Sequence, residues 1–349
     1  MYRRGIGDVL RASMLSKILK SMRKDSLIDA FVRTPVSAEI LRNDPNIDRI
    51  LIYDTYARPS ERAKILFELL MTKYNLAIVC FPSGLLSNLV ALLSGAQRRI
   101  GFVRDRLSKY FKPLLLTDIP AITGEKHELV RNLELLKPLG YSYTDSDKRM
   151  ILYLSEKDYS EAEGFFVSRN LENFSFVVGM APGSSGGQLE KRWPIERYAE
   201  VSDWIKENYN AEVLVFESGT DATESRSLQE MAELSRRGFV RAGGLSLGVA
   251  AALMKKCRIL VCNDNGGMHM AAAVQAPVIA IFGPSDQDTA RPLGTKSELI
   301  QSLHLDCCPC WAPEMGSINC SNAERLKCID DIQAHVVIER IRAMISEAA

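Results

Sequence analysis

The sequence lacks an excess of charge of either sign. Its 349 residues include 44 lysines and arginines and 43 aspartates and glutamates, which leaves a net charge of +1 at pH 7. A chain so balanced has no bulk attraction for nucleic acid, so we expect no nucleic-acid partner. Aromatic residues are few, at 7%, but 46% of the chain is hydrophobic, which is typical of a soluble globular protein.

A long unbroken apolar segment is missing as well. Residues 75–97 carry no charged side chain, but Pro82-Ser83-Gly84 divides this stretch into a strand and a short helix. Near the start of the chain, charges at Asp8, Arg11 and Lys17 interrupt any apolar core of a secretory signal. We therefore predict a cytoplasmic protein whose eight cysteines are mostly reduced.

Positive charge is concentrated in two segments, residues 1–24 and 98–112, which hold seven and six basic residues against one aspartate each. These segments could face an anionic substrate or the inner face of a membrane. Solvated faces of helices and loops are the alternative explanation.

Apolar runs alternate with amphipathic stretches along the whole chain, which predicts an α/β fold with largely parallel sheets. The length favours two domains. We place the first at residues 1–160 and the second at residues 161–330. A final helix lies in residues 331–349, and packing back on the first domain is one arrangement open to it.

The most informative stretch is residues 261–284. A short apolar run ends in a polar glycine loop that contains Asp264, Asn265, Gly266 and Gly267, and a helix of small residues and a second apolar run follow. The glycines let backbone approach a ligand, and the start of the helix favours an anion. The pattern predicts a site for a phosphate ester such as a sugar nucleotide. An ordinary tight turn in a βαβ unit is the alternative.

In the second half of the chain, two side chains that can carry positive charge lie close to polar loops that follow apolar runs. His269 falls in the first turn of the helix just described. Lys191 follows a second loop, which carries Ser184 and Ser185 after a strongly apolar run. Hydroxyls, open backbone amides and the ammonium group could together hold a diphosphate. A flexible loop with solvated cations is the alternative for the second loop.

Three acidic residues lie at predicted helix starts. Asp8 follows two glycines in the motif GIGDVL and precedes an amphipathic helix. It is either a helix cap or a carboxylate placed to accept a proton. Asp221 and Glu224 follow a strand in the second half, where an acid could bind ribose hydroxyls or cap a helix.

Five cysteines crowd the segment 305–330, with the spacing C-C-x-C-x9-C-x7-C, namely Cys307, Cys308, Cys310, Cys320 and Cys328. Closely spaced thiolates suggest a structural zinc site, but the spacing is not a clean pair of CxxC motifs. Disulfides and plain buried thiols are the alternatives. A loop of this length needs a cross-link, such as a metal site or a disulfide, to stay ordered. We therefore expect the cysteine group to have a structural and not a catalytic role.

In this order the motifs resemble those of glycosyltransferase family 9, the ADP-heptose:lipopolysaccharide heptosyltransferases. The resemblance spans nearly the whole chain and includes the cysteine group. It rests on GIGDVL, GAQRRIGF at 95–102, KHELVRNLELLKPLG at 126–140, APGSS…KRWP at 181–194, NDNGGMHMAAA at 263–273 and FGPSDQD at 282–288.

The resemblance implies a GT-B fold, in which two Rossmann-like domains enclose a cleft. Only Met1–Arg4 precede GIGDVL, so the apolar first strand of the family is expected to be missing. It also implies an inverting, metal-independent transfer of a heptose from a nucleotide diphosphate donor, with ADP-heptose favoured. The acceptor implied is a lipopolysaccharide core or a similar anionic glycolipid, with peripheral contact to the inner face of the membrane.

The resemblance assigns roles to individual residues of this chain. Asp8 matches the general base of the family, and the basic residues Arg4 and Arg11 beside it are expected to face the acceptor. The donor-binding positions expected are Ser184, Ser185, Lys191, Asp221, Glu224, Asp264, Asn265, Gly266, Gly267 and His269. Two other functions stay open: another GT-B nucleotide-sugar enzyme such as an epimerase, and a non-catalytic relative that binds a glycan or lipid.

Overall fold

The computed structural model describes residues 5–82, 84–103, 110–121, 124–184, 188–217, 222–311 and 320–347, apart from the side chains of residues 112, 113 and 222–225. The chain divides into two compact units, Met1–Tyr153 and Leu154–Ala349. Among the helices within the described residues, none combines the length and the apolar character needed to cross a lipid bilayer.

The first unit is built on two pairs of parallel strands. Strand β1 (Asp29–Val32) pairs with β2 (Arg49–Ile52), and β3 (Leu76–Ile78) pairs with β4 (Arg98–Ile100). The helices described here are α1 (Ile6–Leu10), α2 (Met14–Met22), α3 (Pro35–Leu41), α4 (Pro59–Thr72), α5 (Leu85–Leu93), α6 (Lys112–Leu115) and α7 (Glu128–Glu134). Small apolar clusters pack between strands and helices, so the core of this unit is divided among several elements.

The amphipathic pattern of residues 9–23 predicts one helix, but the structure has two. Ser13 lies at the break between α1 and α2, where its Oγ donates to the carbonyl of Leu10 at 2.8 Å and accepts from the amide of Ile151 at 2.8 Å. A hydroxyl that bonds the backbone competes with helical hydrogen bonding, which accounts for the break. Within the described residues no strand precedes α1, and Arg4 lies outside them.

The second unit contains one fully parallel six-stranded sheet with the order β10-β9-β8-β5-β6-β7. Its strands are β5 (Phe176–Ala181), β6 (Ala211–Phe216), β7 (Val240–Ala242), β8 (Ile259–Asn263), β9 (Val278–Phe282) and β10 (Ser297–Gln301). The helices described are α8 (Glu156–Ser168), α9 (Ile195–Asn208), α10 (Ala222–Leu234), α11 (Leu247–Lys256), α12 (Gly266–Ala273), α13 (Gln287–Ala290), α14 (Lys327–Asp330) and α15 (Ala334–Ser346).

The strand order makes β5 and β8 the centre of this sheet. The chain runs outward from β5 through β6 to β7, then returns to the other side of β5 and continues through β8 and β9 to β10. The connections after β5 and after β8 therefore leave in opposite directions. Ligands of open parallel sheets bind beyond the carboxyl ends of the strands at such a switch point.

The two helices next to the predicted domain limits both pack in the second unit. Helix α8 packs against α11, and Glu163 on α8 pairs with Lys256 at 2.6 Å. Helix α15, for which packing on the first domain was open, packs against α9, and Val337, Ile341 and Met344 belong to the core under the six-stranded sheet. The boundary at Tyr153 thus precedes α8, and the final helix is part of the second unit.

Candidate active site

The loop after β5 is fastened to the end of β8 by the side chain of Asn263. Its Nδ2 donates to the carbonyl of Pro182 at 2.6 Å, and its Oδ1 accepts from the amide of Trp193 at 3.1 Å and from the Tyr198 hydroxyl at 3.0 Å. Asn263 is fully buried. It therefore fixes both the loop and the start of α9. The sequence analysis did not select Asn263, because its partners lie far away in the chain.

Asn265, two residues further along the chain, also fastens the loop after β5. Its Nδ2 donates to the carbonyls of Ala181 at 2.9 Å and Gly183 at 2.7 Å, and its Oδ1 accepts from the amide of Met268 at 3.0 Å as the N-cap of α12. The expected donor-binding residue thus has both side-chain polar atoms engaged by protein. A Cβ at Gly267 would lie 3.2 Å from Ala181 Cβ, so glycine lets α12 approach β5 closely.

Lys191 and Asp264 form a buried ion pair where these loops meet. Lys191 ends a short 3-10 turn after the β5 loop, and its Nζ lies 2.6 Å from Asp264 Oδ2. Burial raises the pKa of the Asp264 carboxyl, but the charge and the hydrogen bond of Lys191 outweigh this effect. The pKa of Asp264 therefore lies below its usual value, so its carboxylate stays ionised at neutral pH.

The other described donor candidates lie around this pair. Gly266 begins α12, and the first amides of a helix have no partners within the helix. His269 is buried in the first turn, and its charge contributes to the lowered pKa of Asp264. Ser184 is also buried, and its Oγ accepts from Arg192 Nε at 3.0 Å.

Three candidates fall outside what the structure describes. Ser185 and Asp221 lie in gaps, and Glu224 lies on α10 with its side chain outside the described set. The acid described after β6 is Glu217, whose Oε2 lies 2.6 Å from Arg241 Nη2. The expected acidic contact to the nucleoside therefore stays a prediction.

In the first unit, Asp8 belongs to a cluster of three charged side chains. Arg11 Nη2 lies 2.8 Å from Asp8 Oδ1 and 2.7 Å from Glu128 Oε2, and Arg11 and Glu128 are both buried. The N-cap of α1 is Gly5 and makes no side-chain cap bond, so Asp8 is not the cap of this helix. The Arg11 guanidinium, expected at the acceptor, has two carboxylate partners here.

Helix α7 brings Glu128 to this cluster. Its neighbour Asn132 accepts from the amide of Phe81 at 2.7 Å and donates to the carbonyl of Arg11 at 3.3 Å, which locks α7 against α1 and the end of β3. Glu128 lies in the motif KHELVRN, one signal from which its role could have been recognised. The sequence analysis used that motif only for the resemblance.

The five C-terminal cysteines lie close enough to affect one another. A hydrogen bond from Cys328 lowers the pKa of Cys308 to about 7, and the same bond raises the pKa of Cys328. Across the described ranges, no three His, Cys, Asp or Glu side chains are placed to hold a metal ion, and the cysteines are not joined in disulfides. The zinc alternative therefore finds no assembled ligand set here, and the structural role of the group stays a prediction.

Comparison with known proteins identifies relatives that match most of the chain. The model of glycosyltransferase family 9 (heptosyltransferase) matches residues 62–316. Lipopolysaccharide heptosyltransferase 2 of Escherichia coli strain K12 is 27% identical over 309 residues, which are 85% of this chain and 86% of that protein.

Two solved structures share the fold. A glycosyl transferase family 9 protein from Veillonella parvula DSM 2008 superposes with a TM-score of 0.79 at 22% identity, over 99% of this chain and 97% of that chain. The E. coli ADP-heptose lps heptosyltransferase II superposes with a TM-score of 0.74 at 24% identity, over 100% of both chains.

These likenesses confirm the predicted α/β class, which is the GT-B fold of two Rossmann-like domains. The chain belongs to glycosyltransferase family 9, whose model matches most of its length. It is therefore a glycosyltransferase, and the alternatives of an epimerase and of a non-catalytic binding protein are set aside.

Proposed function

We propose that this enzyme transfers a heptose from ADP-heptose to an acceptor of the lipopolysaccharide core, with inversion at the anomeric carbon. One observation carries the proposal: a buried lysine lies beside the start of α12 at the switch point of the six-stranded sheet. The related enzymes named above, for which heptosyl transfer and ADP-heptose are stated, support the choice of sugar and nucleotide.

The donor diphosphate would be held in the second unit. Lys191 and His269 supply positive charge, and the first amides of α12, at Gly266 and Gly267, supply hydrogen-bond donors with the positive end of the helix dipole. As the bond to the sugar breaks, negative charge grows on the leaving ADP. Fixed cations and amides stabilise that charge in the transition state. Ser184 and Ser185, with Asp221 or Glu224 toward the nucleoside, complete the proposed contacts.

The acceptor hydroxyl would be activated by Asp8 of the first unit. The oxygen of the acceptor hydroxyl forms the new bond to the anomeric carbon from the face opposite ADP. ADP departs with the electron pair of the bond that breaks. The hydroxyl proton passes to the Asp8 carboxylate. Arg11 and Glu128 hold that carboxylate in place. Arg4 and Arg11 are the proposed contacts to the anionic acceptor.

We propose further that no metal ion is needed for the transfer, because Lys191, His269 and α12 already provide charge for the leaving diphosphate. Magnesium serves that purpose in many other nucleotide enzymes. Activity in excess EDTA should equal activity without it. Loss of activity in EDTA that magnesium restores would refute this part of the proposal.

A lipid-linked acceptor requires the enzyme to work at a membrane surface, and the first unit carries an exposed apolar face that suits it. Helices α4 and α5 are neighbours. Each exposes three large apolar side chains to solvent, namely Phe67, Leu70, Met71, Leu86, Leu89 and Leu93. Exposed apolar side chains are typical of peripheral contact with a membrane, and the basic residues that the sequence concentrates in segment 98–112 would favour anionic lipids. We therefore propose that the enzyme works at the cytoplasmic face of the inner membrane.

Vesicle sedimentation tests this contact. Phosphatidylglycerol vesicles should retain the wild type, and a Phe67→Ser, Leu70→Ser, Leu89→Ser variant should bind them several-fold more weakly. The matched control is Val167→Ser, Leu303→Ser, which changes two exposed apolar side chains of the second unit. This control should bind the vesicles like the wild type. Equal vesicle binding by the two variants would refute the proposed membrane contact through α4 and α5.

The reaction itself is tested by ADP release. Purified enzyme with ADP-heptose and a heptose-deficient core glycolipid should release ADP and extend the glycolipid by one heptose, as mass spectrometry would show. A thermal-shift screen of other nucleotide sugars tests donor choice, because a specific ligand raises the melting temperature. Release of ADP without an extended glycolipid, or a larger shift with a uridine nucleotide, would contradict the proposal.

A further inference from the structure

The indole ring of Trp311 lies over the ammonium group of Lys191. The distance from Lys191 Nζ to the ring centroid is 3.7 Å, and the same nitrogen lies 2.6 Å from Asp264 Oδ2. Lys191 is buried, whereas Trp311 is partly exposed. The ammonium group is therefore enclosed by a carboxylate and by an aromatic face. Neither sequence motif that predicted the donor site contains Trp311.

The cysteine segment delivers Trp311 to this position. The amides of Cys310 and Trp311 both donate to the carbonyl of Pro284, at 3.0 and 2.9 Å, and Trp311 pairs with Ser285 in a parallel bridge. The thiol of Cys308 donates to the carbonyl of Gly283 at 3.2 Å. Residues 308–311 thus lie along the residues that directly follow β9, which fixes the start of the Trp311 side chain next to the donor loops.

The ring can act on the lysine in two ways. A cation over an indole face is attracted by the ring quadrupole, which restricts a side chain that otherwise rotates about four bonds. The ring also keeps water from the ammonium group, and a charge in a drier site interacts more strongly with an approaching anion. Asp264 and Trp311 together define where the ammonium points.

We propose that Trp311 is a positioning residue for the donor: its ring holds Lys191 in the orientation that receives the diphosphate. This inference rests on the proposed role of Lys191 in donor binding. It gives the cysteine segment a purpose in the reaction, because the segment carries the residue that orients the lysine. Trp311 acts through Lys191 and takes no part in proton or glycosyl transfer.

A double-mutant cycle on ADP affinity tests this role, with ADP titrated calorimetrically into the intact enzyme. The variants are Trp311→Leu, Trp311→Phe, Lys191→Gln and the double variant Trp311→Leu, Lys191→Gln. Glutamine at position 191 keeps a hydrogen-bond donor for Asp264, which helps to preserve the fold. If the Lys191→Gln variant does not fold, Lys191→Arg replaces it. Melting temperatures confirm that each variant is folded.

We expect Trp311→Leu to weaken ADP binding about tenfold, in the range of a desolvated cation–π contact. Trp311→Phe should restore most of the affinity, because it retains an aromatic face. In the Lys191→Gln background, Trp311→Leu should cause no further loss. The matched control is Phe166→Leu on α8, which removes a ring whose centroid lies 4.5 Å from Lys256 Nζ and should leave ADP affinity unchanged.

The possible results separate this inference from the proposed function. Unchanged ADP affinity in Lys191→Gln would refute the donor site itself. A clear loss in Lys191→Gln with none in Trp311→Leu would refute the positioning role alone. A Trp311→Leu effect that persists in full in the double variant would show that the ring contacts the nucleotide directly, which also overturns the positioning role.

Discussion

The two units each hold a largely buried cluster of charged side chains, and the clusters differ in composition. In the second unit Lys191 faces one carboxylate, that of Asp264, so the pair is neutral. In the first unit Arg11 faces the carboxylates of both Asp8 and Glu128, so two carboxylates share one guanidinium.

This difference matches the two tasks of a glycosyl transfer, which are to take a proton from the acceptor and to stabilise the leaving diphosphate. A neutral pair beside a helix start can receive an anion without opposing it. A cluster with a surplus carboxylate can accept a proton and stay paired, since Arg11 and Glu128 remain as an ion pair after Asp8 is protonated. In the proposed mechanism the first unit performs proton transfer and the second unit stabilises the charge of the leaving diphosphate.

The largest expected effect separates these tasks. Asp8→Asn should lower kcat by about two to four orders of magnitude, because general-base catalysis contributes about that much. Its affinity for ADP should match that of the wild type, since the proposed ADP site lies in the second unit. Steady-state kinetics and ADP titration measure the two quantities. A kcat close to the wild-type value would remove Asp8 from the mechanism.

The second prediction concerns the neutral pair. Asp264→Asn should cost roughly 3–5 kcal/mol of unfolding free energy at pH 7, because it leaves the Lys191 charge buried without its partner. The folded pKa of Asp264 is lowered, so its stabilisation is present above the unfolded value of about 4 and is lost as pH falls through the folded value. The difference from wild type should therefore shrink as pH falls below about 4.

Tryptophan fluorescence during urea unfolding measures this effect in the correct unit. The three tryptophans, Trp193, Trp204 and Trp311, all lie in the second unit. The matched control is Asp118→Asn, which removes the partner of Arg98 in the first unit and should leave the fluorescence transition in place. A difference between Asp264→Asn and wild type that does not change between pH 7 and pH 3 would contradict the assigned ion pair.

The smallest expected effect concerns the backbone that carries the donor site. Gly267→Ala places a Cβ 3.2 Å from Ala181 Cβ, and should cost about 1 kcal/mol by pushing α12 from β5. Gly164→Ala on α8 is the control, because nothing lies within 4 Å of its added Cβ. That change should stabilise the helix by about 0.5–1 kcal/mol. Melting temperatures that move in the same direction would contradict the close approach.

The elements of the second sheet could be predicted where they are fully buried. Apolar runs at residues 174–180, 212–216, 259–262 and 277–282 predict four strands. Strands β5, β6, β8 and β9 begin and end within two residues of these ranges, because strands buried on both faces have continuous apolar sequences. The outermost strands β7 and β10 were not predicted. Their residues are half-buried and include Arg241 and Glu298, so their sequences do not stand out.

The candidate site was predictable where residues are close in sequence. The glycine loop after β8 and the lysine after β5 both follow local patterns, and the structure brings Lys191 and Asp264 together. Asn263 and Trp311 could not be found in this way, because each acts on residues far away in the chain, and only the motif KHELVRN pointed to Glu128. Contacts across such separations are set by the fold and leave no local pattern in the sequence.

A crystal structure with ADP bound tests the central claim most directly. The claim is that the diphosphate is held in the second unit, between Lys191 and the start of α12. Phosphate oxygens should lie within hydrogen-bond distance of Lys191 Nζ, His269 and the amides of Gly266 and Gly267. A nucleotide bound only in the first unit, with Lys191 and Asp264 paired as before and no phosphate near them, would contradict the account.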